Sequence, residues 1–195
     1  MSRNSANPWE KFEGKSNSKQ VLAEKASILA PVSIELAKVA CYSILFEKLT
    51  EEKIIKADEH RFWEAFLEMV FFCISVIDRF AFKYLGPINR NHFMDHLANE
   101  VQEYMVNMYD NKEDADRAYT DFGLVYNTKL AEYEKYKKLF PDNGEGTKDT
   151  LIWEFAKKIA CILGSENNPA VVAYSEVAAS ELTLKLQLPK LLSDS

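Results

Sequence analysis

The stretch from Asp58 to Leu85 is predicted to form one long helix that is apolar around most of its circumference. Its aromatic residues include six of the chain's twelve phenylalanines: Phe62, Phe66, Phe71, Phe72, Phe80 and Phe82. A helix with a single apolar stripe lies on a protein surface, whereas a helix that is apolar on all sides is normally the buried centre of a bundle. This stretch therefore predicts that the other segments pack around a central helix.

The remaining long segments repeat their apolar residues at intervals of three and four, which is the period of an amphipathic helix. Only six glycines and six prolines occur in 195 residues, so the chain lacks the frequent tight turns of an all-β protein. We predict an all-α fold: a single helical bundle domain of five or six helices over residues 19–192. Residues 1–18 are polar and are predicted to be a flexible leader.

Glycine and proline predict where the first helices end. Pro31 lies inside the first helical segment, residues 19–49, and predicts a kink or a break near Ala30, because proline removes a backbone donor and clashes one turn back. Gly86 and Pro87 predict the end of the central helix, since glycine is a common residue just after a helix and proline cannot continue one.

The last helical segment has a clear beginning and an ambiguous end. Gly164 predicts the end of the preceding helix, and Asn168 followed by Pro169 predicts a capped start. In residues 182–188 leucines occupy every second position, which is the period of a strand. Leucine is a strong helix former and no other strand is predicted, so we expect helix to about Gln187. The alternative is an extended tail lying on a neighbouring chain.

Charge and hydropathy argue against two classes of partner. The net charge is −6 and no basic stripe is present, so we expect no nucleic-acid binding, which needs clustered Lys and Arg. The longest uncharged apolar run of the central helix, residues 69–77, would span about 14 Å of a hydrocarbon core roughly 30 Å thick, so we expect no membrane partner. The polar N-terminus lacks an apolar signal core, which predicts a cytoplasmic protein.

The cysteines and histidines predict neither a metal nor a cofactor. Cys41, Cys73 and Cys161 each lie in the apolar middle of a different predicted helix and are expected to be buried reduced thiols. A di-metal carboxylate bundle needs two Glu-x-x-His motifs, and no histidine here follows a glutamate by three positions. His92 and His96 are spaced to chelate one ion, but they fall opposite the apolar stripe of their helix and are predicted to face solvent.

Three carboxylates on the central helix are the candidate polar or ligand site. Glu64 has His60 and Arg61 within one turn, so it can be neutralised locally. Glu68 and Asp78 have no cation one turn away on their own helix and must find water or a cation from elsewhere. Cations that folding could supply include Arg79, Arg90 and Arg117. Either the two carboxylates line a solvated seam, or they are buried and form the polar part of a pocket lined by central-helix aromatics.

A tyrosine-rich helix predicted over residues 113–140 is the candidate interface. Its tyrosines are Tyr119, Tyr126, Tyr133 and Tyr136. Tyrosine combines a large apolar body with a hydroxyl that needs a partner, which suits a buried yet wet boundary such as a protein interface. The alternative is a peripheral helix packed on its own core.

Sequence motifs of common enzymes are absent: there is no phosphate-cradling glycine loop, no GxSxG turn and no HExxH pair. We therefore expect a non-enzymatic interaction or regulatory module that acts through self-association, as a homodimer, or through a protein partner. The alternative is a small-molecule-binding or catalytic bundle whose pocket contains Glu68 and Asp78 as its polar groups.

Overall fold

The computed structural model describes residues 18–56, 58–108, 112–142 and 146–193, without the side chains of residues 112–119 and 121. Its helices are α1 (Lys19–Val39), a π-helical segment (Ala40–Phe46), α2 (Glu47–Glu51), α3 (Glu59–Val106), α4 (Lys112–Tyr133), α5 (Leu151–Ile162), α6 (Pro169–Lys185) and α7 (Leu188–Leu192). Over the described residues there is no strand, and one isolated bridge joins Lys138 to Thr150. The predicted all-α fold is confirmed.

The chain divides into two compact units, each built from segments that are not adjacent in sequence. Unit 1 contains the described residues of Met1–Val32, Ile77–Phe122 and Gln187–Ser195. Unit 2 contains those of Ser33–Val76 and Gly123–Leu186.

The α3 helix has the burial that its composition predicts. Every residue from 68 to 78 is buried, so both the apolar and the polar sides of this stretch are covered by protein. The backbone leaves the helical conformation at Gly86, where φ is 72° and ψ is 171°, a region essentially restricted to glycine. The chain then resumes a helix that ends at Val106. The end predicted at Gly86 is therefore confirmed as a break within α3.

Of the kink or break predicted near Ala30, the break is wrong, and a kink within a continuous helix stays a prediction. Pro31 lies inside α1, which runs without interruption from Lys19 to Val39. Leu29, Ala30 and Ile34, which surround the proline, are fully buried. Packing of these neighbours offsets the hydrogen bond that proline cannot donate, which is the usual reason that helices tolerate an internal proline.

The helical region from Lys19 to Glu51 is 33 residues long and is apolar enough, by length and composition, to cross a membrane. The sequence-based expectation of no membrane partner considered only the central helix. Of its most apolar window, 44 % is buried inside the protein. Core positions such as Leu22 and Leu45 are fully buried, so internal packing also requires this apolar composition.

In unit 2, α6 packs against α5 and against the π-helical segment. Thr150 caps the start of α5, where its hydroxyl accepts a hydrogen bond from the backbone N–H of Trp153 at 3.2 Å. Gly164 ends α5 with a φ of 64°, and the guanidinium of Arg61 donates to the Leu163 carbonyl at 2.6 Å. These caps fix the end of α5 and the position of the loop before α6.

The helical interpretation of residues 182–188 is correct as far as Lys185. Asn168 caps α6 as predicted, with its side chain accepting from the backbone N–H of Ala170. A left-handed Gln187, with a φ of 49°, then separates α6 from α7. The alternating leucines are explained by this junction, because Leu182, Leu186 and Leu188 are buried while Leu184 points outward.

Candidate functional site

Glu68 is buried in unit 2 and is neutralised by two lysines. Its Oε2 atom lies 2.5 Å from Nζ of Lys129, and its Oε1 atom lies 3.3 Å from Nζ of Lys158. The hydroxyl of Tyr133 also donates a hydrogen bond to Oε1. Lys129 interrupts the aromatic stripe of α4 in the sequence, and its pairing with Glu68 explains why a cation is found there. Glu68 is therefore a buried, fully partnered carboxylate rather than part of a solvated seam.

This arrangement fixes the charge states of the glutamate and the tyrosine. Burial alone would raise the pKa of Glu68, but the hydrogen bonds from Lys129 and Tyr133 and the charges of both lysines outweigh it, so the pKa is lowered. Burial, reinforced by the negative charge of Glu68, raises the pKa of Tyr133 well above its ordinary range. At neutral pH Glu68 is ionised and Tyr133 is protonated, and neither group is tuned to exchange a proton near pH 7.

Lys158 extends the cluster to a second carboxylate. Its Nζ atom lies 2.6 Å from Oε2 of Glu132 and 4.1 Å from the ring centroid of Tyr133. Beneath the charged groups, the ring of Phe72 lies 4.5 Å from that of Phe155, centroid to centroid. The cluster joins α3, α4 and α5 inside unit 2, and its arrangement is that of a structural ion-pair network.

Asp78 forms a separate ion pair in unit 1. Nε and Nη2 of Arg90 lie 2.5 and 2.6 Å from the two oxygens of Asp78, a bidentate geometry. The two side chains are only 13 % and 27 % exposed. They lie on opposite sides of Gly86 in the sequence, so the pair bridges the break in α3. Arg90 was one of the cations predicted to supply this charge.

Glu64 differs from the other two candidate carboxylates because it is exposed. Its Oε2 atom lies 3.6 Å from Nδ1 of His60, which is one of its two predicted local partners. Arg61 instead contacts Asp58 and the carbonyl that ends α5. Each candidate carboxylate therefore has its own partners.

The four candidate tyrosines lie in different environments. Tyr133 is 1 % exposed and belongs to the chain's own core, which is the alternative that the sequence left open. Tyr126 and Tyr136 are half-buried, and the Tyr136 hydroxyl lies 3.4 Å from Oε2 of Glu154. The side chain of Tyr119 lies outside the described residues.

The described residues contain no group of three or more His, Cys, Asp or Glu side chains that could hold a metal ion. His96 is exposed and His92 is half-buried, broadly as predicted from the helix face. Burial raises the pKa of the Cys41 thiol to about 12 and that of Cys73 further, so both thiols stay protonated at neutral pH. The prediction of burial is wrong for Cys161, which is exposed on the outer side of α5.

Sequence reasoning missed two outward helix faces in unit 2. The α4 outer face comprises the exposed residues Gly123, Leu124, Val125, Asn127, Thr128 and Ala131. The α6 stripe comprises Pro169, Ala173, Val177, Ser180 and Leu184, of which only Ser180 is half-buried. Glu181 and Lys185 adjoin the α6 stripe, are exposed, and pair with each other at 3.1 Å. The sequence signal for the outward face of α6 was that apolar residues occur on two sides of this helix. The alternating leucines of residues 182–188, which resemble a strand pattern, partly concealed that signal.

No protein-family model, curated protein or solved structure matches this chain.

Proposed function

We propose that this chain is a non-enzymatic helical module that acts by associating with a second copy of itself. The observation that carries the proposal is the exposure of large apolar side chains on outward faces of α4 and α6. Leu124 on α4 and Leu184 on α6 are 72 % and 73 % exposed. Large apolar side chains grouped on an exposed face are typical of surfaces that become covered on association.

The ion pairs of Glu68 and Asp78 favour this proposal over a small-molecule or catalytic site. A carboxylate that acts on a ligand must be able to contact it. Asp78 is already bound by Arg90, and Glu68 is already bound by two lysines. The lowered pKa of Glu68 also removes the raised proton affinity that a buried general acid would need.

Native mass spectrometry of protein purified without denaturation distinguishes the two functions in one spectrum. We expect a species of twice the 22.4-kDa chain mass at about ten micromolar or more, without a retained small molecule. A spectrum containing only monomer, or monomer carrying a stoichiometric small ligand, would contradict the proposal.

A further inference from the structure

The short helix α7 is helical only because it is docked. It has five residues, Leu188–Leu192, whereas an isolated helix needs about 12 residues or more to be stable in water. Its three leucines, Leu188, Leu191 and Leu192, are each no more than 1 % exposed. Burial of these leucines therefore holds α7 in place, and α7 itself fills an apolar site in unit 1.

Two residues, Leu186 and Gln187, join α6 to α7, and the boundary between the two compact units falls between them. Leu186 belongs to unit 2, and Gln187 belongs to unit 1. Pro189 favours a turn at this junction, because a proline inside a continuous helix lacks an N–H donor and clashes with the carbonyl four residues before it. In the first turn of α7 the same proline is tolerated. α7 therefore docks as an element separate from α6.

The junction is strained at Gln187. Its φ is 49° and its ψ is 35°, a left-handed conformation that weakens the closed arrangement about tenfold for a residue with a side chain. Glycine is the usual residue at this position after a helix, because it has no Cβ atom. The side chain of Gln187 is exposed and does not cap α7. A short connection under strain is the feature that favours exchange of an element between copies of a chain.

We propose that two copies of the chain associate by exchanging α7, so that α7 of each copy fills the site in unit 1 of the other. This inference rests on the self-association proposed above and names the segment that mediates it. The structure shows what fills the site, because α7 fills it within one chain, and exchange reproduces the same contacts between two chains. The junction then no longer has to turn α7 back onto its own chain, so Gln187 can leave the left-handed conformation.

Exchange also brings the outward face of α6 beside the other copy. Leu184 is 73 % exposed and lies about one helical turn before the junction. When α7 docks on a second copy, the end of α6 that carries this leucine is held close to that copy. The exposed leucine therefore lies at the edge of the proposed contact.

The length and the strain of the junction predict a reversible dimer. A short flexible connection holds its own docking segment at an effective concentration of about one millimolar. Strain weakens the internal contact about tenfold in each of the two copies, which favours the exchanged dimer about 100-fold in total. We therefore expect a dissociation constant of about ten micromolar.

Relief of the strain tests the exchange. Gln187→Gly keeps the chain length and removes the cost of the left-handed conformation, so we expect the dimer dissociation constant to rise about tenfold or more. The matched control is Lys53→Gly, because Lys53 is also exposed and left-handed, with a φ of 57°, just after α2. We expect the control to change the constant by less than about twofold. Gel filtration with light scattering measures both constants, and thermal unfolding verifies that each variant is folded.

Distances between spin labels test the exchange independently of affinity. The background is Cys161→Ser, because Cys161 is the exposed thiol among the described residues, while Cys41 and Cys73 are buried. The labels are attached at Lys190→Cys in α7 and at Lys83→Cys in unit 1, both of which are exposed positions. Pulsed EPR of a chain that carries both labels, at a concentration where it is monomeric, gives the distance within one chain.

Exchange predicts that the same distance recurs between chains. Chains labelled only at position 190 are mixed at high concentration with chains labelled only at position 83. In the exchanged dimer the two labels are as far apart as in the monomer, because α7 contacts the same site in both arrangements. A dimer formed through any other surface has no reason to reproduce that distance.

The outcomes separate this inference from the proposed function. A dimeric wild type whose mixed chains lack the monomer distance would overturn the exchange of α7 and leave self-association standing. A dissociation constant that Gln187→Gly leaves unchanged would do the same. A wild type that stays monomeric at about 200 micromolar would overturn the proposed function as well.

Discussion

The buried carboxylate of Glu68 shows how one charged residue can belong to a core. Transferring an ionised glutamate from water is costly, and the cost is offset only when the charge is paired and its oxygens are hydrogen-bonded. Lys129, Lys158 and Tyr133 together meet both conditions. Removing one member of such a network leaves the others buried without their counter-charge, which is more damaging than the loss of a surface pair.

Glu68→Gln is therefore expected to lower the free energy of unfolding by about 3 kcal/mol, because it leaves Lys129 facing a neutral side chain and leaves Lys158 with only Glu132 as a counter-charge. The matched control is Glu64→Gln on the same helix, which we expect to change stability by less than about 0.5 kcal/mol because Glu64 is exposed. Urea unfolding measures both variants. Equal small losses would show that the network contributes little.

The lowered pKa of Glu68 gives this stabilisation a pH dependence. A carboxyl whose pKa is lower in the folded state contributes stability above its ordinary pKa of 4.5, and loses it as the pH falls through the folded value. The difference in stability between wild type and Glu68→Gln should therefore narrow below about pH 4.5. A difference that stays constant from pH 7 to pH 3 would contradict the assignment of the charge.

Tyr133 gives the opposite dependence at alkaline pH. Its pKa is raised in the folded state, so its contribution is complete below the ordinary value of 10.0 and is lost as the pH rises above it. We expect Tyr133→Phe to be less stable than wild type at pH 7, by about 1 to 2 kcal/mol for the lost hydrogen bond. Above pH 10.0 the gap should shrink, which thermal unfolding across that range would detect. A stability difference between wild type and Tyr133→Phe that increases above pH 10.0 would contradict the raised pKa of Tyr133.

Asp78 provides a second test at this scale. Asp78→Ala leaves Arg90 without the carboxylate that both of its nitrogens contact, and we expect a loss of roughly 3 kcal/mol. A double-mutant cycle with Arg90→Met isolates the pair from other effects of each substitution. A coupling energy below about 0.5 kcal/mol would show that the Asp78–Arg90 pair contributes no more than an exposed ion pair does.

At the scale of helices, the features set by local chemistry were predictable from the sequence. Gly86 breaks α3 because its backbone conformation suits glycine, and Asn168 caps α6 through its own side chain. Features set by distant contacts were not predictable. The absence of a local cation near Glu68 showed that a partner was needed, but Lys129 lies 61 residues away, and only folding brings the two together. The break considered at Pro31 was wrong for the same reason, since packing around the proline offsets its cost to the helix.

The end of α5 offers a prediction for a single element. Gly164 has a positive φ, and a Cβ atom at this position would lie 2.7 Å from a guanidinium nitrogen of Arg61. Gly164→Ala is therefore expected to destabilise the protein by about 1 to 3 kcal/mol through backbone strain and displacement of that cap. The control is Gly146→Ala, where a Cβ meets nothing within 4 Å. Equal losses of thermal stability in Gly164→Ala and Gly146→Ala would contradict the role of Arg61 in capping the end of α5.

At the scale of the whole molecule, the division into two compact units was not visible in the sequence, because each unit is built from segments far apart in the chain. Glu64, Glu68 and Asp78 were singled out in the sequence as one candidate polar site, and each of them forms an ion pair of its own. The outward faces of α4 and α6 became evident only when burial was known, since an exposed and a buried leucine are identical in sequence.

Sedimentation equilibrium of the wild-type chain from about 1 to 200 micromolar tests the central claim most directly. The account predicts a reversible increase in mass from 22.4 kDa to twice that value across this range, with a midpoint near ten micromolar. A mass that remains at 22.4 kDa at every concentration would contradict self-association as the function of this chain.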